Sequence, residues 1–160
     1  MSSQVCGEGQ NGLAMSQKLS LLLPCLVVSS GCLEFGRDVT TVAPSAQDVI
    51  RCRTEMYIKA DAKITPEGFK LTSGIDDAIW FRFLAHTGDI ADVFETETVD
   101  ASKFRSGFKF ADVSAPSWWD VAKKPLTGGQ VSLPKARFMN VGFVDNEDGT
   151  LTVYVRWHET

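Results

Sequence analysis

Histidine and nearby carboxylates are the first residues of this sequence that could do chemistry. His86 lies close along the chain to Asp76, Asp77 and Asp89. An imidazole held by a carboxylate can act as a general acid and base, so a hydrolase is one alternative function. Asp76 and Asp77 are adjacent and would point to opposite faces of a strand, which favours a polar loop over an acid–base pair. No Gly-x-Ser-x-Gly motif is present, and we lean towards a protein without catalytic residues.

A pair of tryptophans is the second candidate. Trp118 and Trp119 follow a Ser-Ala-Pro-Ser sequence, and Lys123 and Lys124 form a basic pair shortly after them. Adjacent tryptophans in a loop can stack on sugar rings or anchor a protein partner. We therefore predict a binding surface on residues 114–129, for a protein or a glycan. The alternative is that one or both tryptophans fill an end of the core.

The chain contains four cysteines, and their spacing is not that of a metal site. There is no Cys-x-x-Cys motif and no Cys/His cluster, so we expect no structural zinc ion and no cofactor.

Residues 15–32 have the pattern of an export signal. They read MSQKLSLLLPCLVVSSGC, in which Lys18 precedes an apolar run and small residues lead to Cys32. The run of roughly ten apolar residues fits the central part of a signal peptide and is too short to span a membrane. Ser30, Gly31 and Cys32 resemble the lipobox of bacterial lipoproteins, although Ser29 stands where that family usually has leucine.

This resemblance implies a location for the protein. In the lipoprotein family the cysteine receives diacylglycerol on its sulfur, and signal peptidase II then cuts the chain before it, which implies a lipid anchor on Cys32. Leu33 follows in place of the aspartate that retains such proteins in the inner membrane of enteric bacteria. The resemblance therefore implies an outer-membrane anchor with the protein facing the periplasm. A disulfide between Cys32 and Cys52 would exclude acylation, and the sequence leaves that alternative open.

Composition limits the partners. The chain has 160 residues, 44% of them hydrophobic, and a formal net charge of -4. Because no basic run occurs, nucleic acid is not an expected partner. No apolar stretch reaches the roughly 20 residues that a spanning helix requires. The small size also permits a third function, an exclusion or immunity lipoprotein of a mobile element, although no residue argues for it.

We divide the chain into four parts. Residues 1–14 are polar and glycine-rich, and we interpret them as an unstructured extension or the result of a start assigned too early. Residues 15–31 are the predicted signal peptide, and residues 32–47 are the lipidated cysteine and a tether. Residues 48–160 are the predicted globular domain.

Periodicity within that domain predicts mainly strands. Alternation of apolar and polar residues, or aromatic and apolar enrichment, marks residues 54–64, 69–72, 78–85, 108–113, 136–144 and 150–158. We expect a turn at residues 65–68, a central strand at 78–85 and a hairpin formed by the last two segments. Short helices are predicted after Ser45, Asp89 and Asp100. The predicted fold is α+β, with an antiparallel sheet of about five strands.

Overall fold

The computed structural model describes residues 38–111 and 114–160. In these residues the chain forms seven strands: β1 Val39–Thr41, β2 Ile64–Thr72, β3 Ala78–Ala85, β4 Arg105–Phe108, β5 Leu126–Leu133, β6 Arg137–Asp145 and β7 Leu151–Glu159. They build one antiparallel sheet in the order β1-β2-β3-β7-β6-β5-β4. The helices of the described part are α1, Ala46–Glu55, and the 3-10 turns Ile90–Asp92, Ala101–Lys103 and Val121–Lys123. The expected five strands are therefore too few, and the sheet dominates the domain.

Helix α1 begins where the sequence predicted and ends later. Ser45 accepts a hydrogen bond from the backbone N–H of Asp48, whose carboxylate accepts one from the Ser45 backbone in return, so the N-terminus has a complete capping box. Cys52 and Met56 lie four residues apart and are fully buried, which fixes a helical period against the sheet. Tyr57 follows with a φ of 54°, the left-handed conformation that ends helices. The strand predicted for residues 54–64 is therefore wrong.

The turn predicted for residues 65–68 is also wrong, because the chain continues there as β2. The register with β3 shifts between Pro66 and Gly68, which is a β-bulge. Within the described residues β1 pairs only with residues 69–71 of β2, so Pro66 has no neighbouring strand on that side. Proline is tolerated at such an edge because no neighbouring strand needs its missing N–H.

Several other boundaries are confirmed or moved. β3 occupies residues 78–85 as predicted and lies between β2 and β7, and the C-terminal hairpin is confirmed as β6 and β7. The 3-10 turns after Asp89 and Asp100 are capped by these carboxylates. The strand predicted for 108–113 is wrong, since β4 ends at Phe108. β1 lies inside the predicted tether and pairs with β2, so the folded domain begins before residue 48.

The sheet is packed on both faces. Alternate residues of β3 and β7, among them Phe81, Phe83, Val153 and Val155, belong to the larger core with α1. We call this side the first face. The residues between them, including Trp80 and Tyr154, belong to a smaller aromatic core on what we call the second face. Within the described residues, none of the helices has the length and apolarity needed to cross a membrane.

Candidate functional site

Glycines on the second face create room for aromatic rings. Three aromatic side chains each contact a glycine of the sheet: Trp118 at Gly68, Phe110 at Gly142 and Phe108 at Gly128. A Cβ atom at these glycines would approach the respective rings to 2.7, 2.8 and 2.9 Å, closer than such contacts allow, and at Gly128 it would also meet the backbone carbonyl oxygen of Val141, which lies closer still. The glycines are paired through the register of the sheet with Arg82 and Tyr154. These five residues form one row across five strands. Residues 107–111 and 114–126, which we call the covering segment, pack on this row.

The two predicted binding tryptophans have different environments. Trp119 is only 6% exposed and belongs to the second core. Its ring lies edge-on to Tyr154 at 5.3 Å and to Phe110 at 5.1 Å between centroids. Trp118 is half-buried and lies 5.8 Å from Trp119. Trp119 therefore matches the alternative that a tryptophan fills an end of the core, because its ring occupies the space between the covering segment and the sheet.

A polar network fixes the covering segment to the sheet. The buried Tyr154 hydroxyl donates a 2.6 Å hydrogen bond to Oδ1 of Asp120. The same carboxylate lies 3.5 Å from Nη1 of Arg82 and 3.4 Å from Nζ of Lys124. Arg82 also donates to Glu67 at 2.8 Å and to the backbone carbonyl of Trp118 at 3.0 Å.

The pKa shifts follow from these contacts. Burial alone would raise the pKa of Asp120, but the Tyr154 hydrogen bond and the charges of Lys124 and Arg82 outweigh it and lower that pKa overall. Burial, and then the hydrogen bond to Asp120, raise the pKa of Tyr154 well above its ordinary value. Asp120 therefore remains a carboxylate and Tyr154 a neutral phenol at pH 7. These groups satisfy one another, which is the chemistry of a structural network.

A cavity opens beside this network. It has a volume of about 500 Å³, and its apolar walls include Phe108, Phe110, Trp119, Val121 and Leu126. We call it the aromatic cavity. Lys109 and Lys124 are its charged lining residues. Lys123, the other lysine of the predicted surface, is exposed and does not line it.

His86 lies elsewhere, at a separate cavity of about 290 Å³. Its Nε2 is 2.8 Å from the hydroxyl of Thr65. Asp77 pairs instead with Arg51 at 3.3 Å, and Asp89 caps its own 3-10 turn. The structure therefore does not bring His86 into hydrogen-bonding contact with the carboxylates that the sequence suggested as its partners.

The described residues contain one cysteine and no cluster of metal ligands. Cys52 is a free, fully buried thiol. Burial raises its pKa, with Asp48 adding to the effect, so the thiol remains protonated. Cys32, the predicted lipidation site, lies outside the described residues. Within the described residues no cluster of three or more His, Cys, Asp or Glu side chains could hold a metal ion.

Comparisons with known proteins give no relative. No protein-family model, no curated protein and no solved structure matches this chain.

Sequence reasoning singled out residues 114–126, which are part of the covering segment, but missed the residues that make it a site. Asp120 and Tyr154 are 34 positions apart, and neither belongs to a recognisable motif. The available signal was β3, in which Arg82 is the one polar residue of an otherwise apolar strand. A strand of this kind marks a sheet with both faces covered rather than one open to solvent.

Proposed function

We propose that this protein is a non-enzymatic binding module of the bacterial envelope, anchored by lipid on Cys32, and that it binds its ligand in the aromatic cavity. The cavity is the observation that carries the binding role. Its volume of about 500 Å³ falls in the usual range for small-molecule sites, and such sites are lined mainly by aromatic and apolar side chains with a few polar groups. The ligand is a small molecule, or an apolar group of a protein or glycan partner.

The covering segment supports this assignment. Phe108, Phe110 and Trp119 both pack on the sheet and line the aromatic cavity, so its walls are held by the core. A wall fixed in this way is formed before the ligand arrives, which lowers the entropic cost of binding. The hydrolase alternative has no comparable support, because Nε2 of His86 contacts a threonine hydroxyl.

The binding role is tested with a neutral apolar fluorophore, N-phenyl-1-naphthylamine. We expect its emission to rise and shift to the blue on mixing with the folded protein. Ala122 lines the cavity, and an Ala122→Phe variant should fill the space and abolish the signal. Ala43 is exposed outside the cavity, so Ala43→Phe is the matched control and should bind as the wild type does. No signal from the wild type, or an unchanged signal from Ala122→Phe, would overturn the binding proposal.

The anchor rests on the lipobox-like residues that end at Cys32. We propose that the acylated protein lies in the outer membrane and faces the periplasm, with Leu33 after the modified cysteine. Intact mass spectrometry of the membrane fraction should find a chain that begins at Cys32 and carries the mass of the acyl groups. Cys32→Ala should remain unprocessed, whereas Cys52→Ala should be processed normally. A soluble protein that keeps residues 15–31 and an unmodified Cys32 would contradict the anchor and leave the binding proposal standing.

A further inference from the structure

We infer that the ligand of the aromatic cavity is a small amphiphile with an apolar body and one anionic group, such as a carboxylate or a phosphate. This inference rests on the proposed function and specifies its ligand. Three features of the wall point to such a ligand: the charge of the lining, the unpaired state of Lys109 and the aromatic rings beside it.

The charge of the lining is the first feature. The chain has 20 acidic and 16 basic residues, so its formal net charge is -4. Among residues 38–111 and 114–160, those that line the cavity nevertheless include Lys109 and Lys124 and no aspartate or glutamate. A cavity with this lining attracts anions in a protein that otherwise repels them.

The two lysines are not equivalent. Lys124 is compensated, because its Nζ lies 3.4 Å from the carboxylate of Asp120. Lys109 is exposed and, within the described residues, has no ion pair or hydrogen bond. It lies between Phe108 and Phe110, whose rings form part of the apolar wall. The uncompensated charge therefore belongs to Lys109 and lies next to apolar surface.

The aromatic rings supply the third feature. Phe108, Phe110 and Trp119 line the cavity beside the two lysines. An apolar wall next to one uncompensated cation matches an amphiphilic acid better than a neutral sugar.

The experiment compares two fluorophores of similar apolar size. 1-Anilinonaphthalene-8-sulfonate carries a sulfonate, and N-phenyl-1-naphthylamine is its neutral counterpart. Both are titrated against the wild type and against Lys109→Gln, with Lys123→Gln as the matched control because Lys123 does not line the cavity. We expect Lys109→Gln to weaken sulfonate binding about tenfold, as for loss of a hydrogen bond to a charged group, and to leave the neutral probe unchanged. Lys123→Gln should leave both affinities unchanged, and Lys109→Arg should retain sulfonate binding.

Competition identifies the source of the anion. Displacement of the sulfonate probe by dodecanoate, and not by dodecanol, assigns the site to a free amphiphilic acid. Displacement by phosphatidylglycerol vesicles, and not by phosphatidylcholine vesicles, assigns it to an anionic membrane lipid. Equal binding of both probes to wild type and to Lys109→Gln would overturn the inference and leave the proposed function intact. Failure of the neutral probe to bind the wild type would remove the proposed function itself.

Discussion

Asp120 is the residue on which the polar contacts of the second face converge. Its carboxylate contacts Tyr154, Arg82 and Lys124, which come from β7, β3 and the covering segment. A hydrogen bond from a buried phenol to a carboxylate is charge-assisted and stronger than one between neutral groups. The network therefore fixes the position of the covering segment, while the aromatic rings fill the space between that segment and the sheet.

Removing the Tyr154 hydroxyl tests this role. Tyr154→Phe keeps the buried ring and deletes the 2.6 Å bond to Asp120. We expect a loss of about 1–2 kcal/mol in the free energy of unfolding at pH 7, measured by urea denaturation. Tyr57→Phe is the control, because the Tyr57 hydroxyl has no hydrogen bond in the described part of the chain. A double-mutant cycle with Asp120→Asn should show coupling between Tyr154 and Asp120; additive effects would contradict the proposed role.

At the scale of elements, glycines determine which aromatic rings can contact the sheet. Gly68 lies in β2, immediately after the register shift that begins at Pro66. The bulge moves Gly68 onto the second face opposite Arg82, and the ring of Trp118 occupies the space that a Cβ would need. The local sequence of β2 and the position of the covering segment are therefore coupled.

We predict that Gly68→Ala displaces Trp118 and destabilises the protein by about 1–3 kcal/mol, the usual cost of overpacking. Gly74→Ala is the matched control, since a Cβ at Gly74 meets nothing within 4 Å. Thermal unfolding measures both variants, and tryptophan emission reports the displacement of Trp118. A Gly68→Ala variant as stable as Gly74→Ala would show that Trp118 moves without cost and that the glycine is not required there.

The elements also show which parts of the fold the sequence could predict. β3 was predictable because a run of eight residues, seven of them apolar or aromatic and one arginine, is typical of a strand buried on both faces. β5 was not predictable, because Gly128 and Gly129 have no side chains and so interrupt the alternation of apolar and polar residues that marks a strand. Their partners, Phe108 and Phe104, lie about 20 residues earlier in the chain, and only the folded sheet brings them together. The site was missed for the same reason, since Asp120 and Tyr154 meet through tertiary contacts alone.

At the scale of the whole molecule, two ionisable groups, His158 and Asp120, make stability fall as the pH drops. Desolvation, followed by repulsion from Arg156, lowers the pKa of His158 in the folded state. The unfolded chain therefore binds a proton at His158 at a higher pH than the folded chain, and stability falls as pH drops through the unfolded value of about 6.5. The pKa of Asp120 is lowered too, so its contribution is present above an unfolded value of about 3.9 and is lost as pH falls through the folded value.

His158 and Asp120 titrate in separate pH ranges, so one variant can distinguish their effects on stability. His158→Gln keeps a polar side chain beside Phe138, on which the histidine ring stacks at 5.7 Å, and removes the titration. Urea unfolding should show wild-type stability declining between pH 7.5 and 5.5, while His158→Gln declines less over that interval. Both proteins should lose stability in parallel below pH 4, where the carboxylates are protonated. Equal declines of the two proteins above pH 5.5 would contradict the assignment to His158, since the folded environment of that ring would then carry no cost for its charge.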